Sequence, residues 1–150
     1  MIQRIQSLYL LVGSIVQVLF ATGTYYTFIA LESSYNVTGS GIFNSAGEKT
    51  EGDMKTLILG IGIAALSLIT IFLFKNRQQQ MKFARICALL TIAEIIFLVI
   101  SYFNAKEIAE SEISIGFASF ILPTSTILFL LAAKSIKKDD ELVRSVDRIR

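Results

Sequence analysis

The chain has no histidine, and its one cysteine and one proline, Cys87 and Pro123, both sit inside long apolar runs. Without histidine there is neither an imidazole base nor an imidazole metal ligand. A lone cysteine excludes a disulfide within the chain and any cysteine-pair metal site, so Cys87 reads as a packing residue. Phosphate loops, nucleophile elbows and paired-carboxylate motifs are missing as well, and Gly60-Ile61-Gly62 reads as helix packing. These absences argue against an enzyme. No catalytic residue, cofactor or metal ligand is expected, and no nucleic-acid partner. A membrane enzyme acting on lipid is the weakest reading, because no nucleophile stands with a base.

Charge is scarce too. Charged residues make up 17% of the chain against 53% hydrophobic, with a mean hydropathy of +0.63. That balance suits a chain whose apolar surface meets lipid. Four runs, Leu8 to Leu31, Thr56 to Phe74, Ile86 to Phe103 and Ile115 to Ala133, each approach the roughly 20 residues that cross hydrocarbon as helix. They predict one membrane domain over residues 1–150, an all-α antiparallel bundle of four transmembrane helices at 5–31, 56–74, 84–104 and 114–134. Between the first two lies an extracytoplasmic loop, 32–55, where Tyr35-Asn36-Val37 and Ile42-Phe43-Asn44 flank Thr38-Gly39-Ser40-Gly41 and suggest a short β-hairpin. The alternative for the first run is a cleaved signal peptide, since Arg4 precedes it and Ala21-Thr22-Gly23 resembles a cleavage site; its apolar character continues through Phe28 and Ile29, which favours an uncleaved helix.

Orientation follows from the cations. Arg4, Lys75, Arg77, Lys82, Arg85, Lys134, Lys137, Lys138, Arg144, Arg148 and Arg150 fall on the side holding both termini, and only Lys49, Lys55 and Lys106 on the other. Acids run the opposite way, so both termini are expected to be cytoplasmic. Tyr25, Tyr26, Tyr35, Tyr102 and Phe103 then form an aromatic belt at the outer interface. Residues 135–150 predict a short amphipathic tail helix, started by Asp139 or Asp140, with Leu142, Val146 and Ile149 on one stripe and an Asp140–Arg144 pair.

Glu94 is the single acid within the four runs. An ionisable group at that depth costs roughly 2.5 to 10 kcal/mol and faces a partner or water. Gln17 and Pro123 lie at about its level, with Thr91 one turn away, which predicts a polar layer of Glu94, Gln17, Pro123 and Thr91. Small and polar residues recur at helical spacing on every run, among them Gln6, Gly13 and Gln17, then Gly60, Ala64 and Ser67, and these stripes are where helices approach in lipid. The layer has three readings, a proton or cation relay, an interhelical clamp, and a Glu94 that faces outward to meet another subunit; one ionisable group without a path favours the clamp over the relay.

The opening Met1-Ile2-Gln3-Arg4-Ile5-Gln6, the inner loop Asn76-Arg77 followed by Gln80, Lys82 and Arg85, and the ending from Lys138 to Arg150 resemble domain-of-unknown-function family 4293. The resemblance implies a small bacterial inner-membrane protein with four helices, and implies no activity. The segments that carry it all lie on the expected cytoplasmic face. The leading expectation is therefore a non-enzymatic scaffold or accessory subunit of a membrane complex. It would dock a protein partner or anionic lipid headgroups through Arg77, Lys82, Arg85, Lys137, Lys138, Arg144, Arg148 and Arg150. The alternative is a small proton-coupled carrier using Glu94.

Overall fold

The structure, a computed structural model, describes residues 3–30, 33–52, 54–109 and 112–147. Along the chain come α1 (Gln3–Thr22), β1 (Thr24–Ala30), β2 (Ser33–Thr38), β3 (Gly41–Asn44), β4 (Lys49–Glu51), α2 (Lys55–Phe72), a 3-10 turn (Leu73–Lys75), α3 (Arg77–Ile108), β5 (Ser114–Ile115) and α4 (Phe117–Asp147). All four helices contain stretches long and apolar enough to cross a membrane.

The bundle differs from a water-soluble one in its apolar outer surface and in the small and polar residues set among its apolar core. Its interior takes small and polar residues, including Gln6, Ser14 and Gln17 on α1, Ala64 and Ser67 on α2, Cys87 and Thr91 on α3, and Ser125 and Ala132 on α4. Large apolar side chains point outward: Leu8, Ile15 and Leu19 on α1, Ile58 and Phe72 on α2, Leu89 and Ile96 on α3, Phe120 and Ile127 on α4. In lipid, burying Leu against Leu gains little. Close backbone approach and interhelical hydrogen bonds hold helices together instead. Hydroxyls supply several such bonds, from Ser67 Oγ to the Leu10 carbonyl at 2.8 Å and from Ser14 Oγ to the Ala64 carbonyl at 3.2 Å.

These pairings fix the circuit. Residues early in α1 meet residues late in α2 and α4, as in the Gln6 Nε2 bond to the Ser135 carbonyl, 3.1 Å. Gln80 near the start of α3 reaches the Thr70 carbonyl near the end of α2, 3.2 Å. Each helix is therefore antiparallel to its neighbours in the ring α1, α2, α3, α4.

The expectation of an all-α bundle is overturned by a five-stranded antiparallel sheet, ordered β4-β3-β2-β1-β5, that caps one end. The first helix does not run over 5–31. It ends at Thr22, and residues 24–30 form the strand β1. Hydropathy cannot separate a buried strand from a helix, but the residue types can: Thr24, Tyr25, Tyr26, Thr27, Phe28 and Ile29 are all aromatic or β-branched. Burial along β1 then alternates, with Tyr26, Phe28 and Ala30 buried around a half-buried Thr27 and an exposed Ile29. The expected loop 32–55 holds three strands. Tyr35↔Asn44 and Val37↔Ile42 pair across the turn at Gly39 and Ser40.

The fourth helix also differs. Ser114–Ile115 is strand β5, paired to β1, and Phe117–Asp147 is one helix, not a span over 114–134 followed by a tail helix over 135–150. No glycine or proline occurs after Pro123, so nothing in the backbone stops the helix at the membrane surface. Asp139 and Asp140 consequently sit inside a helix and cap nothing. Similarly α3 begins at Arg77, with Asn76 Oδ1 accepting from the Gln79 amide at 3.2 Å, well before the expected 84. Its first turns are polar but good helix formers.

Candidate functional site

Two apolar clusters fill the interior. One, toward the chain's terminal end, centres on Leu10, Ile63, Cys87, Phe129 and Ile136. The other, under the sheet, centres on Phe20, Tyr25, Tyr26, Phe28 and Leu122. Between them lies a polar layer. Gln17 and Ser125 are fully buried and Glu94 is 1% exposed, the only charged residue among the buried ones described.

α1, α3 and α4 each contribute one side chain to this layer. Gln17 Nε2 donates to Glu94 Oε2. Ser125 Oγ lies 3.0 Å from Gln17 Oε1 and 2.7 Å from the Leu122 carbonyl, so its single proton serves one acceptor at a time. α2 contributes an absence of side chain. A Cβ on Gly60 would stand 2.7 Å from Ala21 Cβ and 3.4 Å from Glu94 Oε1. Among the described residues, Glu94 Oε1, Tyr25 Oη and Thr126 Oγ1 are buried without a hydrogen-bond partner.

Of the four residues expected in this layer, Glu94 and Gln17 are joined and the other two are not. Thr91 is fully buried but donates to its own helix, to the Cys87 carbonyl at 2.9 Å. Pro123 is exposed and faces away, lining a lateral cleft of about 370 Å³ with Tyr26, Leu98, Tyr102 and Phe120. Ser125, two residues on, takes the place assigned to Pro123.

The sheet end closes over the layer. Tyr25 stacks on Phe20 with ring centroids 4.6 Å apart. Burial pushes the Tyr25 hydroxyl above the usual tyrosine range, and the Glu94 charge adds to the shift. Gly39, in the turn between β2 and β3, is inserted against the last turn of α1: its Cβ would lie 2.2 Å from the Ala21 carbonyl oxygen and 2.7 Å from Tyr25 Oη. The Gly39 carbonyl accepts from the Leu57 amide of α2 at 3.1 Å. Tyr26 Oη and Ser101 Oγ share a 2.7 Å hydrogen bond that ties β1 to α3. The aromatics expected as a belt thus lie largely in the sheet and its core.

At the opposite end, Arg77 is not free for docking. Its Nη1 reaches Asp139 Oδ2 at 2.8 Å and the Asp139 carbonyl at 3.0 Å, both side chains being largely buried. Lys82, Arg85 and Lys138 are exposed, and Lys137 is exposed with an Nζ–Glu141 Oε1 distance of 3.7 Å. Arg148, Arg150 and the Arg144 side chain lie outside the described residues. No cluster of three metal-ligating side chains occurs among the described residues.

Four apolar helices of spanning length, closed around one buried carboxylate and capped by a small sheet, define a helical protein of the membrane-associated class. The chain belongs to the family described as domain of unknown function DUF4293, which matches residues 2–149. No curated protein and no solved structure matches it.

Proposed function

We propose that this protein is a non-enzymatic scaffold or accessory subunit of a bacterial inner-membrane complex, with both termini in the cytoplasm. One observation carries the reading. α4 passes its ion pair with α3 at Asp139 and continues to Asp147, about 12 Å further at 1.5 Å per residue. That extension exposes Leu142 and Val143, at 46% and 43%, next to the exposed cations Lys134, Lys137 and Lys138. Lys82 and Arg85 of α3 add to the same end. The exposed Glu141 stands beside the strip, 3.7 Å from Lys137, and the remaining cations edging it suit a partner segment that is apolar and acidic. The cations also favour anionic headgroups, by about 1 kcal/mol each near the surface.

Purification in mild detergent from the native membrane, followed by mass spectrometry, tests this. A stoichiometric partner is expected, and it is lost when Lys82, Arg85 and Lys138 are changed to Glu or when residues 140–150 are deleted. Retention of the same partner by both variants rules out docking at this end.

The carrier reading keeps one supporting observation, the buried Glu94 carboxyl at the bundle centre. It requires Glu94→Gln to abolish flux in proteoliposomes.

A further inference from the structure

Three oxygens lie around the last turn of α1, where the sheet meets the bundle. Glu94 Oε1 and Tyr25 Oη belong to side chains 1% and 3% exposed, and neither has a hydrogen-bond partner. The Ala21 carbonyl oxygen is the third, in the last turn of α1. Gly39 brings two of them together, since Ala21 O and Tyr25 Oη both lie within 2.7 Å of the point its Cβ would take. Gly60 packs on the Ala21 methyl group, with Glu94 Oε1 3.4 Å from the point its own Cβ would take, so the carboxyl borders the same residue. The electrostatic effect of Glu94 on Tyr25 agrees with this proximity.

The carboxylate carries a full negative unit, and no buried cationic side chain among the described residues answers it. The C-terminal end of α1 adds about half a negative unit from its aligned peptide dipoles, set against the positive N-terminal end of α2, whose Leu57 amide is bonded to Gly39. α1, α2 and α4 present Gln17, Gly60 and Ser125 to the layer, none of which titrates or carries positive charge, and Tyr25 is the titratable group beside Glu94. The Gln17 amide donates to Oε2 and leaves Oε1 unpartnered beside Gly60. Buried polar groups are satisfied by a partner, an ordered water or an ion.

We infer that Glu94 Oε1, Tyr25 Oη and the Ala21 carbonyl form a buried site for one monovalent cation, a sodium ion or a hydrated proton. Hard oxygen donors suit such an ion, and a single carboxylate neutralises one charge, so a divalent ion would leave net charge in hydrocarbon. The turn at Gly39 is the lid of this site, and exchange of the ion requires that turn to lift off Ala21.

Thermal unfolding of the purified full-length protein in detergent tests the site, in sodium, potassium or choline chloride at fixed ionic strength and over a pH series. A sodium ion predicts a sodium-specific rise in Tm, about 5 to 10 °C at a hundredfold excess over Kd. Glu94→Gln abolishes the rise, and Tyr25→Phe, which keeps the Gln17 contact, weakens sodium affinity at least tenfold. A proton instead predicts no preference among the salts but an infrared carboxylic-acid band that titrates with pH, disappears in Glu94→Gln and shifts its midpoint in Tyr25→Phe. If Glu94→Gln fails to fold, the Tyr25→Phe comparison decides alone. Responses to salt and pH unchanged by Tyr25→Phe overturn the site.

Discussion

At the residue scale, the polar layer behaves as a unit because Gln17 is at once donor to Glu94 and acceptor from Ser125. Gln17→Leu strands the Glu94 carboxyl and should cost about 1 to 3 kcal/mol, the range for a buried group left unpaired. Glu94→Leu in the same chain should recover part of that loss. A double-mutant cycle of unfolding free energies in mixed micelles measures the coupling, expected at about 0.6 to 1.7 kcal/mol; strictly additive losses would deny the contact any energetic role. Glycines give a second contrast. Gly60→Val drives a side chain into Ala21 and should separate α1 from α2, whereas Gly62, whose Cβ meets nothing within 4 Å, accepts Ala with stability unchanged or raised. Depth along each helix is legible in the sequence, and it sets Glu94 and Gln17 at one level. Azimuth was harder: Pro123 and Ser125 share a depth but are turned about 200° apart at 3.6 residues per turn, and only packing decides which faces inward.

At the element scale, β1 was the least legible segment. Its apolar residues prolonged the hydropathy of α1 without a charge to mark the boundary, and its strand character rests on six consecutive aromatic or β-branched side chains after Gly23. The β2–β3 turn was more accessible, because Gly39 and Ser40 lie between two short β-prone runs. Hydropathy does not reveal the extent of α4, whose last turns are polar. Arg77 shows how such an element is held. It was expected to meet a partner and instead fastens the start of α3 to α4. Arg77→Gln should cost about 1 kcal/mol, toward the upper end for an ion pair with some solvent access. Hydrogen exchange should rise in residues 77–84 and 136–143 and stay constant near Glu94; an even rise throughout the bundle would contradict a local fastening.

At the scale of the whole molecule, charge is distributed by end, and the proposed topology follows from that asymmetry. Cys87 is fully buried, so the native chain offers little background to a thiol reagent. In a Cys87→Ala background, Ser45→Cys in the β3–β4 turn should react with a membrane-impermeant maleimide on intact cells. Ser145→Cys should react only after the membrane is opened. The reverse pattern would invert the protein and move its cationic end outside. Four apolar helices of spanning length and their antiparallel order are legible in the sequence because period and length survive without tertiary context; the sheet is not, because its pairings join residues as distant as Tyr26 and Ile115.

α4 is a single rod of 31 residues, about 46 Å from end to end at 1.5 Å per residue. Near one end its Ser119 hydroxyl grips the Tyr25 carbonyl at 2.7 Å, and near the other Asp139 holds Arg77. Pro123 leaves the Ser119 carbonyl without its helical donor, but beyond it no glycine or proline offers a hinge, so the length from Pro123 to the projecting end tilts as one lever. A partner seizing the projecting end therefore has mechanical purchase on the strand at the far face, and a message can cross from one side to the other while nothing passes through.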